Sequence, residues 1–159
     1  MAAPLAPAPA HVALFPANVR NVLVVANRLQ DFRSIAAKLA RMHAAEPVRI
    51  HLLAVIPAPS GHAMAFLRRI NVKRVLHEDG LKLLRPLMEL LDAAAVPYRH
   101  DVEIGRWEET VARFAQDRCC KSIVIGDNDA RPLRQLFLRH DAWRIRTRLV
   151  RSGFACEML

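Results

Sequence analysis

The chain is poor in cysteine, aromatics and glycine, and it contains no long apolar run. Three cysteines in 159 residues do not make a disulfide framework, and two of them, Cys119 and Cys120, are adjacent and so rarely bridge. A reduced, cytoplasmic protein is the simplest expectation. Aromatics are only 6% of a chain that is 53% hydrophobic, so the core should be mostly aliphatic. No stretch approaches the roughly 18 apolar residues of a membrane span. The opening "MAAPLAPAPAHVALFP" is apolar, but it lacks a basic segment and carries four prolines. Residues 1–18 therefore read as a flexible, partly extended arm rather than a signal peptide. Residues 19–159 then form one domain, long enough to bury a real core.

Chemical motifs are equally scarce. The seven histidines and three cysteines show neither Cys-x-x-Cys nor His-Glu-x-x-His spacing, so no metal site is expected. There is no Walker loop and no Gly-x-Ser-x-Gly elbow. His62, in "SGHAM", has no evident partner and reads as a loop residue. Cys119 and Cys120 stand where a helix should meet a strand, and packing explains them more simply than redox chemistry.

What the chain does have is a regular alternation. "NVLVVAN" (21–27) is a continuous β-branched run, as in a strand buried on both faces. Phe32, Ile35, Ala36, Leu39 and His43 follow at helical spacing, with Asp31 as N-cap. "VRIHLLAVI" (48–56) is a second strand, ended by "PAPSG". A long helical stretch covers about 69–95, with a stripe through Val72, Leu76, Leu83, Leu87, Leu90, Leu91 and Ala94. Gly80 and Pro86 lie inside it and predict a kink or a break. "YRHDVEI" (98–104) alternates like a strand with one wetter face. A short helix over 106–118 uses Trp107, Val111, Phe114 and Ala115. "KSIVIG" (121–126) is the fourth strand, and residues 131–150 form a last helix with Pro132 in its first turn. "GFACEML" (153–159) can supply a fifth strand. This order predicts an α/β fold: an open parallel sheet with helices on both faces. Ligands of such sheets sit beyond the carboxyl ends of the strands, which directs attention to Asn27, 57–61 and 126–129.

Charge is the other positive feature. The net charge is +9, and seven arginines stand between positions 131 and 151 against one acid, Asp141. A basic surface attracts polyanions, nucleic acid or acidic partners without selecting among them. Arg134, Arg144 and Arg148 are its candidate contacts, and a solvated helix face is the plainer alternative.

Over about 19–159 the chain resembles the universal stress protein family. The resemblance rests on "NVLVVAN", "IHLLAVIPAP", "DVEIGRWEETVARFAQDRCCKSIVIGDND" and "LRQLFLRHDAWRI", in that order. It implies a Rossmann-like sheet of five parallel strands in the order 3-2-1-4-5. It also implies a homodimer, formed through the C-terminal strand from Gly153 to Met158. ATP-binding members carry a glycine, two residues, a second glycine, nine residues, a third glycine, then serine or threonine. Here those positions are Gly126, Asp129, Arg139 and His140, and the family's acid after the first strand is Asn27. The register survives, while the chemistry changes at three of the four motif positions. Glycines admit backbone N–H groups to phosphates, whereas a carboxylate at Asp129 repels them. In the alternative, structural reading, His140 continues an inward stripe through Leu133, Leu136, Phe137 and Trp143. The expectation is a noncatalytic stress-response or regulatory module that does not bind ATP in the usual way. A nucleotide-binding protein with weak or no hydrolysis, and a polyanion-binding module using the 131–151 helix, are the alternatives.

Overall fold

A computed structural model describes residues 19–26, 30–59, 61, 72–125, 143–151, 153–155 and 157–158. Five parallel strands form one sheet: β1 (Arg20–Ala26), β2 (Val48–Ile56), β3 (Tyr98–Ile104), β4 (Ser122–Ile125) and β5 (Glu157–Met158). Their order across the sheet is β3-β2-β1-β4-β5, as the resemblance implies. The helices include α1 (Phe32–Ala45), α2 (Val72–Ala93), α3 (Trp107–Asp117) and α4 (143–151). The N-terminal arm at 1–18 lies outside the described residues.

β1 occupies the centre, in register with β2 on one side and β4 on the other. Side chains of a strand alternate between faces, so its apolar run divides between two cores. Val22, Val24 and Ala26 join Ile50, Leu52 and Val124 under α1 and α2. Leu23 and Val25 join Leu53, Val55 and Ile123 under α3 and α4. This two-sided burial is why the sequence shows an unbroken apolar run here instead of alternation. β3, at the edge, exposes the consecutive residues Arg99 and His100, one on each face, so its early part is open on both sides instead of on one wetter face.

α1 forms as its sequence indicates. Asp31 accepts a hydrogen bond from Arg33 N at 3.0 Å and caps the first turn, while Ile35, Ala36 and Leu39 face the sheet. α2 runs through Gly80 and Pro86 without the break that was one of the two expectations there. The physical reasons differ at the two positions. Pro86 and Lys82, four residues before it, are both exposed, so the carbonyl left without its helical donor faces water. Gly80 is buried against β3: a Cβ there would stand 2.3 Å from Val102 Cγ1. The glycine lets the helix approach the sheet closely. Leu84, outside the expected stripe, is fully buried with Leu87 and Leu91.

Three helices end alike. Ala95, Cys119 and Gly153 each adopt a positive φ just past the helix. The next N–H then reaches back five residues: Val96 to Leu91 O, Cys120 to Ala115 O and Phe154 to Leu149 O, at 2.8–3.0 Å. Val96 and Cys120 are buried by this turn, and Phe154 packs against the α3–α4 core. Cys120 is thus a packing residue, while Cys119 is exposed.

The fifth strand is shorter than expected. Gly153 belongs to the end of α4, and among the described residues Glu157 and Met158 pair with β4. Glu157 N donates to Lys121 O at 2.8 Å. Arg20 reinforces the pairing across β1, β4 and β5. Its guanidinium donates to the buried Ser122 hydroxyl and, at 2.7 Å, to the Glu157 carboxylate.

Gly80→Ala should destabilise the protein by about 1–3 kcal/mol, because the clash with Val102 outweighs a helix-propensity gain of roughly 1 kcal/mol. Adding Val102→Ala should recover part of the loss. Urea denaturation of the single and double variants checks this, and an unaffected single variant would contradict the close approach.

Candidate functional site

The topology defines one switch point. From β1 the chain builds outward to β2 and β3 on one side, and β4 and β5 lie on the other. Val25 and Ile125 are register partners, so β1 and β4 end side by side. A crevice beyond these carboxyl ends is where open α/β sheets hold ligands. Gln30 Nε2 donates to Val25 O at 2.8 Å and satisfies one carbonyl at this end. Gly105 N donates to Ile56 O at 3.0 Å and ties the start of α3 to the end of β2.

The candidate positions Asn27, Gly126, Asp129, Arg139 and His140 lie outside the described residues, as do His62 and Arg134. The described strand ends at Ala26 and Ile125 immediately precede Asn27 and Gly126.

The basic segment is described from 143 to 151, and here the structure corrects the sequence reading at Trp143. Trp143 is not part of an inward stripe but 62% exposed, and Ile145 and Leu149 form the buried face instead. Two helical residues span about 200°, so a helix that turns Ile145 inward turns Trp143 outward. Leu133, Leu136, Phe137 and His140, the rest of the expected stripe, lie outside the described residues. Two of the arginines are also paired with acids of α3. Arg144 pairs with Glu108 at 2.8 Å, and Arg148 stands 3.4 Å from Glu109, which Arg106 also approaches at 3.5 Å. The first turn of α3 thus offsets part of the charge of α4. Glu108 and Glu109 were legible as acids in a first helical turn, where they suit the helix dipole. Nothing local announced that they face arginines about 36 residues on.

His51 is the notable buried titratable group. It is 2% exposed on the α3 side of β2, and neither ring nitrogen has a hydrogen-bond partner. Its ring meets Phe114 edge-on at 6.2 Å between centroids, and Arg118 lies over the other aromatic's ring at 5.3 Å. Enclosure in this core makes it a structural residue rather than a proton-transfer group. Among the described residues, no cluster of three or more His, Cys, Asp or Glu side chains could hold a metal ion. No described helix is long and apolar enough to cross a membrane.

Comparison with known proteins places this architecture. No family model matches the chain, and no curated protein matches it. Solved structures do. A universal stress protein family member from Burkholderia pseudomallei has 16% identity and a TM-score of 0.58, with 91% of this chain and 98% of that chain covered. Universal stress protein UspA from Lactobacillus plantarum has 13% identity and a TM-score of 0.61 over the same shares. A universal stress protein solved in complex with cAMP has 13% identity and a TM-score of 0.58, over 88% of this chain and 94% of that one. The chain has the universal stress protein fold, and at these identities the likeness is one of fold.

Burial holds the His51 pKa at about 4, below the usual 6.5, with the Arg118 charge adding to the effect and Asp101 opposing it. A folded state that favours the neutral ring keeps its full stability above pH 6.5 and loses it as pH falls toward 4. The loss should total about 3 kcal/mol, at roughly 1.4 kcal/mol per pK unit. His51→Leu should flatten this part of the stability profile between pH 7 and 4. Denaturation midpoints at both pH values decide it, and parallel profiles for the two proteins would contradict the assignment.

Proposed function

We propose that this chain is a noncatalytic stress-response or regulatory module of the universal stress protein type, and that it does not take ATP in the usual way. The fold supports the type. The carrying observation is that the chain keeps the sheet's switch point at the ends of β1 and β4 while the positions that would serve phosphate there are changed. Gly126 is the one motif position retained, and Asp129 brings a carboxylate where a glycine would expose N–H groups. A nucleotide-binding role is the second reading, favoured by the cAMP complex of a protein with the same fold.

A homodimer through β5 belongs to the same proposal. β5 is the outermost strand of the sheet, and an unpaired edge invites pairing. Glu157 directs its N–H inward to Lys121 O, so Met158, by alternation, directs its backbone groups outward.

Calorimetric titration with ATP and magnesium should show no micromolar binding by the native chain. Asp129→Gly, Arg139→Gly and His140→Ser together should improve binding at least about tenfold, as gained charge-assisted hydrogen bonds would allow. Micromolar binding by the native chain would overturn the degenerate-site reading in favour of a nucleotide binder.

Met158→Pro removes an outward donor while leaving the Glu157–Lys121 bond in place. In light scattering the native protein should run as a dimer and this variant should shift toward monomer. A native monomer, or an unshifted variant, would rule out the β5 interface.

A further inference from the structure

A groove of about 500 Å³ opens between the first turn of α3 and α4, a volume in the range of small-ligand sites. Arg106, Arg144, Arg148 and Arg151 line it, against the carboxylates of Glu108 and Glu109. The two acids are engaged differently. Glu108 holds Arg144 at 2.8 Å, the length of a charge-assisted hydrogen bond. Glu109 is shared between Arg106 at 3.5 Å and Arg148 at 3.4 Å, beyond that length in both directions. Among the described residues no carboxylate pairs with Arg151. Arg106 and Arg148 therefore share one loosely held carboxylate, Arg151 lines the same groove, and the four arginines exceed the two acids in charge. The exposed indole of Trp143 also lines the groove.

We propose that this groove binds a phosphorylated small molecule with a planar body. The phosphate displaces Glu109 from Arg106 and Arg148 and also engages Arg151, and the planar body lies against Trp143. A phosphate offers three acceptor oxygens and up to two negative charges, so it can serve Arg106, Arg148 and Arg151, of which the Glu109 carboxylate holds the first two loosely. Indole faces and guanidinium planes both stack on flat rings. A nucleic-acid strand fits less well, because its successive phosphates would have to pass Glu108 and Glu109. The residues that line the groove include none of the motif positions that follow β1 and β4.

The test is calorimetric titration at low salt with phenyl phosphate and with inorganic phosphate, which separates an organic phosphate from a free one. Phenyl phosphate should bind several-fold more tightly than inorganic phosphate, and Trp143→Ala should abolish that preference. Arg148→Gln with Arg151→Gln should weaken both ligands by about tenfold or more. Glu109→Gln should tighten both several-fold, because the competing carboxylate is gone. All these positions are partly or largely exposed, and circular dichroism confirms that the variants fold. Absence of saturable phenyl phosphate binding, or affinities unchanged in the Glu109 and arginine variants, would overturn the proposal. Equal affinity for the two ligands would overturn the planar-body requirement. Tight binding of a single-stranded oligonucleotide without phenyl phosphate binding would assign the surface to a polymer instead. ATP that enters this groove is lost in Arg148→Gln with Arg151→Gln, whereas ATP held at the ends of β1 and β4 survives that change, so failure at one site is distinguishable from failure at the other.

Discussion

The two-sided burial of β1 is the constraint on which the rest of the structure depends. Its apolar residues feed two cores at once, Val22, Val24 and Ala26 to one and Leu23 and Val25 to the other. A strand so placed cannot be an edge, so β2 and β4 must flank it, and helices must cover both faces. The carboxyl ends of β1 and β4 then meet at the switch point, and α3 and α4 are brought side by side on one face. Both candidate sites, the crevice and the groove, follow from that one placement.

Charge is organised by the same packing. Ion pairs as exposed as those of Arg144 and Arg148 contribute little to stability, typically below about 1 kcal/mol each. Their significance lies in electrostatics: the first turn of α3 supplies acids that divide the basic segment into a tightly paired arginine and others loosely held. What reads in the sequence as one block of positive charge is, among the described residues, a patterned groove. At the opposite end of the sheet, Arg20 joins β1, Ser122 of β4 and Glu157 of β5, and so holds the edge strand Glu157–Met158.

Much of the fold was legible because each element carries a local signal. The β1 and β2 runs, the α1 stripe with its Asp31 cap, and Val111, Phe114 and Ala115 of α3 all stand as the periodicity indicates. The departures have physical causes beyond the range of that signal. Gly80 looked like a helix breaker and is a contact surface, since Val102 of β3 fills the space a side chain would take. Trp143 looked like a core residue, and the burial of Ile145 and Leu149 turned it outward. The fifth strand was drawn too long because Gly153 ends α4 with a positive φ before the chain reaches the sheet.

By itself the sequence determined the kinds of element, their order along the chain and the parallel α/β class. Hydrophobic period and end signals are properties of short segments and need no partner to be read. The family's strand order came from resemblance to known sequences, and pairing in the folded chain realises it. Only the tertiary structure decided which face of α4 packs, that Glu108 and Glu109 meet Arg144 and Arg148, and that His51 is sealed without a hydrogen-bond partner. These are contacts between segments tens of residues apart, and their energies arise only when the sheet brings the segments together.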